Sequence, residues 1–141
     1  MNNSTPVFID TAYVFALINQ RDHWHDRALH WSRLLETKRS PLLTTDFVLM
    51  EIGDGLAAVR SRERATQAIQ TFRASAFIEI VPASRSLLDD ALLMYQTRVD
   101  KDWGMTDCSS FVVMQERGIT DALTVDRHFQ QAGFHALLLE A

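Results

Sequence analysis

The feature that most constrains this chain is the alternation of short apolar segments with longer amphipathic ones. The apolar segments cover residues 7–9, 41–45, 77–81, 122–125 and 134–139, and helical patterns separate them. Segments this short and apolar are typical of buried strands, and strands that alternate with helices favour a parallel sheet. We therefore predict an α/β fold of three layers, α/β/α, with a central parallel sheet of about five strands.

Seven helices are expected between these strands. They cover residues 11–19, 25–37, 46–56, 62–75, 86–98, 106–117 and 127–132. The face of the first helix that is predicted to contact the core consists of Ala12, Phe15, Ala16 and Leu17. Asp46 is expected to cap the third helix, since aspartate is a favoured N-cap residue.

Bulk properties limit the classes of protein to consider. Residues 1–141 contain no long linker and no internal repeat, so we predict a single domain. No apolar run is long enough to span a membrane, so we predict no membrane span. The polar start, residues 1–6, lacks the basic and apolar parts of a signal peptide, and the lone Cys108 fits a reducing cytoplasm. A net charge of −4 argues against nucleic-acid binding unless metal ions offset the acids at a site.

Four acidic residues occupy related positions in this layout. Asp10 and Asp126 follow the first and fourth strands, Asp107 lies in the first turn of a helix, and Glu51 lies in the helix after the second strand. Sites in open parallel sheets form beyond the carboxyl ends of the strands, so these acids are expected to converge. Such a cluster is costly without a cation, and Mg²⁺ prefers oxygen ligands. The chemistry indicated is metal-assisted phosphodiester hydrolysis.

Each acid also has a simpler explanation when it is considered alone. An aspartate after a strand is commonly a turn residue or a helix cap, Asp107 suits the positive end of a helix, and Glu51 suits a solvated helix face. Thr11 and Thr124, beside two of the acids, either orient a carboxylate or serve as a cap and a strand residue. Spacing alone leaves these alternatives open.

Other residues that suggest chemistry have structural explanations. The spacing of His23, His25 and His30 matches no closed zinc site, and Cys108 has no neighbouring base that would activate it. His128 is expected to cap or pack more than to contact a substrate. Trp103 and the arginines at 60, 62 and 64 are candidate RNA contacts, with burial and solvation as the default alternatives.

Four segments carry the acids in order along the chain. They are residues 8–12 (FIDTA), 44–52 (TTDFVLMEI), 105–111 (MTDCSSF) and 122–134 (ALTVDRHFQQAGF). Together they resemble the four motifs of the PIN-domain family, and in particular the VapC-type toxins of bacteria. The last segment is the most specific, and the resemblance extends from residue 8 to residue 134.

The resemblance implies a metal-dependent endoribonuclease, the toxin of a type II toxin–antitoxin pair, with RNA as its substrate. It implies a site built from Asp10, Glu51, Asp107 and Asp126 and the use of Mg²⁺ or Mn²⁺. By analogy, Asp10 and Asp107 are the best direct ligands, while Glu51 and Asp126 act through water or a second ion. The family also implies a homodimer and a small antitoxin protein that covers the site.

One departure from the family pattern follows Glu51. Gly53 and Gly55 lie within a predicted helix, where each costs roughly 1 kcal/mol relative to alanine. They either allow close packing or mark a bend. Asp54, between them, shares a helix face with Glu51 and either joins the site or faces solvent. Asp121 precedes the fourth strand and is expected at the opposite edge of the sheet.

Three alternative functions were compared with the sequence. A non-cleaving PIN-like module that binds RNA or protein is expected to have lost a key acid, and all four acids are present here. A haloacid-dehalogenase-like phosphatase usually has a second aspartate two residues after the first, where this chain has Ala12. A dinucleotide-binding fold would require a glycine-rich turn after the first strand, which is absent.

Overall fold

A computed structural model describes residues 5–140, and within that range the chain forms five strands and seven α-helices. The strands are β1 (Val7–Ile9), β2 (Leu42–Thr45), β3 (Ile78–Val81), β4 (Asp121–Leu123) and β5 (His135–Ala136). The helices are α1 (Thr11–Ile18), α2 (His25–Thr37), α3 (Asp46–Gly55), α4 (Val59–Ala74), α5 (Arg85–Thr97), α6 (Met105–Arg117) and α7 (Arg127–Gln131). Residues 1–4, which belong to the polar start of the chain, and residue 141 lie outside the described residues.

The five strands form one parallel sheet in the order β3-β2-β1-β4-β5, which confirms the predicted fold. β1 lies at the centre, with Phe8 paired to Leu43 of β2 on one side and to Ala122 of β4 on the other. All carboxyl ends of the strands therefore lie at one edge of the sheet. Asp10 leaves β1 at that edge, where its backbone N–H donates to the Leu123 carbonyl at 3.2 Å.

An aromatic cluster holds α6 and α7 against the centre of the sheet. The ring of Phe111 on α6 lies 4.9 Å, centroid to centroid, from Phe129 on α7, and Phe129 lies 6.3 Å from Phe8 on β1. All three side chains are fully buried. The Phe111–Phe129 pair is edge-to-face and the Phe8–Phe129 pair is tilted, and burying such aromatic pairs stabilises the fold and fixes the orientation of the rings. The cluster therefore fixes the segments that carry Asp107 and Asp126 relative to β1.

The predicted core face of α1 is only partly correct. Ala16 is buried, but Ala12 and Phe15 are only half-buried, while Tyr13 and Val14 are buried in their place. Ala12 and Phe15 instead line the cavity that contains Asp10. An apolar residue at a cavity wall has the same helical spacing as one in the core, so the pattern did not separate them.

The predicted N-cap of α3 is wrong by one residue. Thr45, with extended backbone, is the cap, and its hydroxyl accepts the Val48 N–H at 3.1 Å. Asp46 is already helical, and its Oδ2 atom accepts the Ala83 N–H at 2.9 Å. Both residues are favoured caps, and the strand continues through Thr45 because its partner in β3, Val81, is still paired there.

Three elements differ most from their predicted bounds. α4 begins at Val59 instead of residue 62, and β4 ends at Leu123 instead of Val125. The last strand, predicted over residues 134–139, is limited to β5, because the chain continues as a 3-10 helix over Leu137–Leu139. β4 ends early because its last partner in β1 is Ile9, after which the central strand turns into α1. The apolar pattern that predicted this strand continues past Leu123, although β1 offers no further partner residue there.

The two glycines of α3 differ in the space around them. A Cβ atom on Gly55 would overlap with Cζ of Phe15, so a side chain there would displace the ring. A Cβ on Gly53 would meet nothing within 4 Å. Close packing therefore explains Gly55 but not Gly53.

Across residues 5–140, none of the helices combines the length and the apolarity that a membrane crossing requires.

Candidate active site

A cavity of about 580 Å³ opens at the carboxyl edge of the sheet. Its lining residues are Asp10, Thr11, Ala12, Phe15, Glu51, Asp54, Gly55, Asp107, Asp126 and His128. All four predicted acids are therefore brought together, and Asp54 adds a fifth carboxylate. Ala12 confirms that the second aspartate of a dehalogenase-like site is missing from this wall. We divide the cavity into a threonine side and a histidine side according to what holds the acids.

The threonine side contains Asp10 and Glu51. Thr124, fully buried after β4, donates its hydroxyl to Asp10 Oδ2 at 2.7 Å, and the Thr11 hydroxyl donates to Glu51 Oε1. Thr124 Oγ1 also accepts the Asp126 N–H at 3.0 Å. Of the alternatives left open by the sequence, the hydroxyls of Thr11 and Thr124 thus orient carboxylates.

Burial gives Asp10 an unusual protonation equilibrium. Its carboxyl is buried, and this loss of hydration raises the pKa of Asp10 to about 7. Hydrogen bonds from Thr124 and the Thr11 backbone oppose the rise in pKa, while the negative charges of Asp107 and Glu51 add to it. A bound cation would remove much of this penalty, because it would compensate the charged form.

The histidine side contains Asp107 and Asp126. Asp107, in the first turn of α6, accepts the Gly104 N–H through Oδ2 at 3.2 Å. His128 Nδ1 lies 3.0 Å from that same oxygen and 3.4 Å from Asp126 Oδ1. Asp126 caps α7 by accepting the His128 backbone N–H at 2.8 Å.

Partial burial also affects Asp107. It raises the pKa of the Asp107 carboxyl, and the charge of Asp126 adds to the rise, while hydrogen bonds from His128 and Gly104 oppose it. One ligand atom each from Asp107, Asp126 and His128 lie within 4.8 Å of one another, a separation suited to a shared metal ion. The chemistry of this donor set fits a divalent cation, since five carboxylates line the same cavity and oxygen ligands dominate.

The sequence did not single out His128 as a neighbour of Asp107. Twenty-one residues separate them, and the contact exists because α7 packs against α6. The available signal was the DRHF segment, in which the aspartate caps a short helix and places the histidine two residues later on the same side.

Other candidates lie away from the cavity or are already engaged. Trp103 is buried and donates Nε1–H to Gln131 Oε1 at 3.0 Å, so its ring is not available for stacking on a base. Arg62 donates to the Ala57 carbonyl at 2.7 Å, which ties it to the start of α4. Asp121 lies at the opposite edge, as predicted, 3.0 Å from His135 Nδ1.

A larger cavity of about 690 Å³ lies at the amino edge of the sheet. Tyr13, Leu42, Phe77 and Ile78 form much of its wall, and it contains none of the clustered acids. Its charged lining residues, Glu36 and Arg39, offer neither a ligand set nor an activated nucleophile. The smaller acidic cavity is therefore the candidate active site.

Comparisons with known proteins identify a family and relatives of similar fold. The PIN domain family matches residues 7–135. The 23S rRNA-specific endonuclease VapC20 of Mycobacterium tuberculosis, in strains CDC 1551 and H37Rv, is 30% identical over 128 residues, covering 91% of this chain and 95% of the relative. A crystal structure of the Mycobacterium tuberculosis VapC20, described as a sarcin–ricin loop cleaving toxin, matches with a TM-score of 0.80 at 28% identity. That match covers 92% of this chain and 97% of that one.

Proposed function

Because this chain belongs to the PIN-domain family, we propose that it is a VapC-type, Mg²⁺- or Mn²⁺-dependent endoribonuclease whose site is Asp10, Glu51, Asp107 and Asp126. One observation carries the proposal: the acids of four separate motifs line a single cavity. Residues 1–141 would form one PIN domain, since the described strands and helices share one hydrophobic core.

The proposed reaction is hydrolysis of an RNA phosphodiester. The oxygen of an attacking water forms a bond to phosphorus, the bond from phosphorus to the 3′ oxygen breaks, and the products carry a 5′-phosphate and a 3′-hydroxyl. The carboxylates would hold a divalent ion, whose positive charge would favour deprotonation of the water and offset charge on the phosphate. Asp10 and Asp107 are the proposed direct ligands, with Glu51 and Asp126 acting through water or a second ion.

Neutral donors of the chain give these ligands their orientation. Thr124 directs one Asp10 oxygen, Thr11 directs Glu51, and the Gly104 N–H directs Asp107. Each donor leaves other lone pairs of the carboxylate free to face the cavity. The chain thereby fixes its ligands before an ion or a phosphate arrives, which limits reorganisation during the reaction.

The similarity to VapC20 supports ribosomal RNA as the first substrate to test. The similarity covers 91% of this chain and 95% of the relative. We propose that this protein cuts 23S rRNA, which would place its action in the cytoplasm. Arg127, exposed beside Asp126, is positioned to contact an RNA phosphate next to the cavity.

Two protein partners belong to the proposal. A small antitoxin would cover the acidic cavity, for which a basic segment offers complementary charge. A second copy of the chain would cover the outer face of α5, where Leu88, Leu92 and Tyr95 are spaced as one helical stripe. These side chains are 44%, 47% and 49% exposed, and an exposed apolar stripe favours a protein interface.

The test pairs metal binding with RNA cleavage. Chelator-treated wild type, Asp107→Asn and Asp121→Asn are titrated with Mn²⁺ and Mg²⁺ by calorimetry, and their cleavage of 23S rRNA is mapped by primer extension. We expect wild type and Asp121→Asn to bind metal and cut, and Asp107→Asn to do neither while keeping its fold by circular dichroism. Asp121→Asn is the matched control because its carboxylate lies at the opposite edge.

Two results would contradict parts of this proposal. Cleavage by Asp107→Asn at the wild-type rate would refute the site assignment. Binding of RNA by the wild type without cleavage in either metal would favour the non-cleaving module instead.

A further inference from the structure

His128 faces the histidine side of the cavity with a nitrogen atom that the proposed hydrolysis does not use. Its Nδ1 atom lies 3.0 Å from Asp107 Oδ2 and 3.4 Å from Asp126 Oδ1. We propose that His128 Nδ1 is a direct ligand of the divalent ion, together with these two oxygens, and that it makes the site prefer Mn²⁺ to Mg²⁺. In this arrangement Asp126 contacts the ion directly, which replaces the water-mediated role proposed for it above. The inference rests on the proposed function, because it concerns the ion of that same site.

The separations between these atoms suit ligands of one ion. Ligands of Mg²⁺ lie about 2.1 Å from an octahedral ion, so two neighbouring ligand atoms are about 3.0 Å apart. His128 Nδ1 lies 3.0 and 3.4 Å from the two carboxylate oxygens, and ligand atoms of the three residues lie within 4.8 Å of one another. These distances match three ligands on one face, or along one meridian, of such an octahedron. The remaining positions face the cavity, where water or phosphate can enter.

A nitrogen ligand changes which ion is favoured. Mg²⁺ takes oxygen ligands almost entirely. Mn²⁺ also favours oxygen ligands, but as a first-row transition ion it accepts an imidazole nitrogen more readily than Mg²⁺ does. A site with two carboxylate oxygens and one imidazole nitrogen therefore adds affinity for Mn²⁺ that Mg²⁺ does not share. An all-carboxylate site would lack that distinction.

The alternative is that His128 only donates a hydrogen bond from Nδ1 to Asp107. In that arrangement it would act as an outer partner that orients the carboxylate, and such partners affect metal affinity by about 10-fold to 100-fold. The effect would be similar for both ions, since the ligand being oriented is an oxygen. Comparing Mn²⁺ with Mg²⁺ therefore separates a ligand from a positioning residue.

The chain contains a matched control for the contact itself. His135 Nδ1 lies 3.0 Å from Asp121 Oδ1 at the amino edge, the same separation as between His128 and Asp107. Among the described residues, Asp121 and His135 have no third ligand atom close enough to complete a group. The His135→Gln variant thus removes a histidine–aspartate contact without touching the cavity.

The experiment is pulsed electron paramagnetic resonance of Mn²⁺ bound at less than one equivalent to chelator-treated full-length protein. We expect nuclear modulation from a directly coordinated ¹⁴N in wild type and His135→Gln, and its loss in His128→Gln. Calorimetry should show that His128→Gln weakens Mn²⁺ binding by at least about tenfold and Mg²⁺ binding by less than about threefold. If the glutamine side chain of His128→Gln disturbs the fold, His128→Asn, with its shorter side chain, serves as a second variant.

The outcomes separate this inference from the proposed function. Mn²⁺ bound to the wild type without ¹⁴N modulation, or equal losses of Mn²⁺ and Mg²⁺ affinity in His128→Gln, would overturn the ligand assignment and leave the nuclease proposal intact. Absence of Mn²⁺ binding by the wild type, together with absence of RNA cleavage, would overturn both.

Discussion

The two sides of the acidic cavity hold their carboxylates by different means. On the threonine side, Asp10 is buried and receives hydrogen bonds from neutral donors, the Thr124 hydroxyl among them. On the histidine side, the Asp107 side chain is 18% exposed and contacts the His128 imidazole. The first side orients a fully enclosed acid, whereas the second leaves its acid partly in contact with water.

This difference indicates a division of tasks. A neutral donor fixes geometry but leaves the cost of burying a charge in place, so Asp10 depends on a cation for its charged form. Asp107 keeps some contact with water and therefore depends less on a cation. The threonine side therefore contributes more to the demand for metal, and the histidine side contributes more to the choice of metal.

The largest expected effect comes from Asp10→Asn. We expect RNA cleavage to fall by about 10³-fold, because a ligand that stabilises several kcal/mol of transition-state charge is lost. In metal-free protein at pH 8, the same change should raise the free energy of unfolding by about 2–4 kcal/mol, because a buried charge is removed. Cleavage assays and urea unfolding measure the two effects.

Asp107→Asn is the comparison for that prediction. It should lose cleavage to a similar extent but gain less stability, since Asp107 keeps some contact with water and has an ionisable partner. Equal gains in stability by the two variants would remove the proposed difference between the two sides.

The pH dependence of stability should reveal Asp10 directly. The folded state holds a proton on Asp10 up to about pH 7, whereas an unfolded aspartate loses it near its ordinary pKa of 3.8. The folded state therefore binds more protons in this interval, and metal-free protein should lose about 4 kcal/mol of stability as the pH rises from about 4 to about 7. Urea unfolding at a series of pH values measures the slope.

Two additions sharpen that measurement. Asp10→Asn should flatten the decline between pH 4 and 7. Mn²⁺ should stabilise wild type more at pH 8 than at pH 5, because the ion competes with the proton on the carboxylates. A decline of unchanged slope in Asp10→Asn would mean that another group is responsible.

Thr124→Val should produce an intermediate effect. The variant keeps the shape of the side chain but removes the donor to Asp10 Oδ2 and the acceptor of the Asp126 N–H. We expect a loss of about 1–3 kcal/mol in stability, because buried polar atoms lose a partner, and a loss of roughly tenfold in cleavage.

Thr44→Val is the matched control for Thr124→Val. Thr44 is equally buried, but its hydroxyl donates to the Ile9 carbonyl at 2.9 Å and not to a carboxylate. It should lose stability with little change in cleavage. A matching loss of cleavage would show that Thr124 acts through general packing.

The smallest effects are expected at the two glycines of α3. Gly55→Ala should cost about 1–3 kcal/mol, because the new Cβ displaces the Phe15 ring from the cavity wall. Gly53→Ala should stabilise the protein by up to about 1 kcal/mol, since the helix gains a better residue and nothing blocks it. Thermal unfolding of both variants compares them, and destabilisation by Gly53→Ala would contradict the packing argument.

The sequence was sufficient for the parallel sheet and for the convergence of its acids. Both follow from local information: short apolar runs, helices between them and an acid after β1. It was insufficient where two elements compete for the same residues. Phe15 belongs to a helical apolar stripe but lies against Gly55 at the cavity wall, and β4 ends where β1 no longer offers a partner.

The contacts between side chains were the least predictable part of the site. The hydroxyl of Thr124 reaches Asp10 across 114 residues, and His128 reaches Asp107 only because α6 and α7 share an aromatic cluster. Long-range packing determines such contacts, and no spacing along one chain encodes them. Which acid binds an ion directly stays a prediction.

The central position of β1 has a consequence for biosynthesis. The strand that carries Asp10 emerges from the ribosome early, yet one of its two neighbours, β4, is translated more than a hundred residues later. A nascent chain that has not reached β4 and α7 therefore has no closed pocket, only scattered acids. For a nuclease proposed to cut ribosomal RNA, this order of synthesis delays activity until the chain is nearly complete. The ribosome that is translating the chain is therefore not exposed to an active site during most of translation.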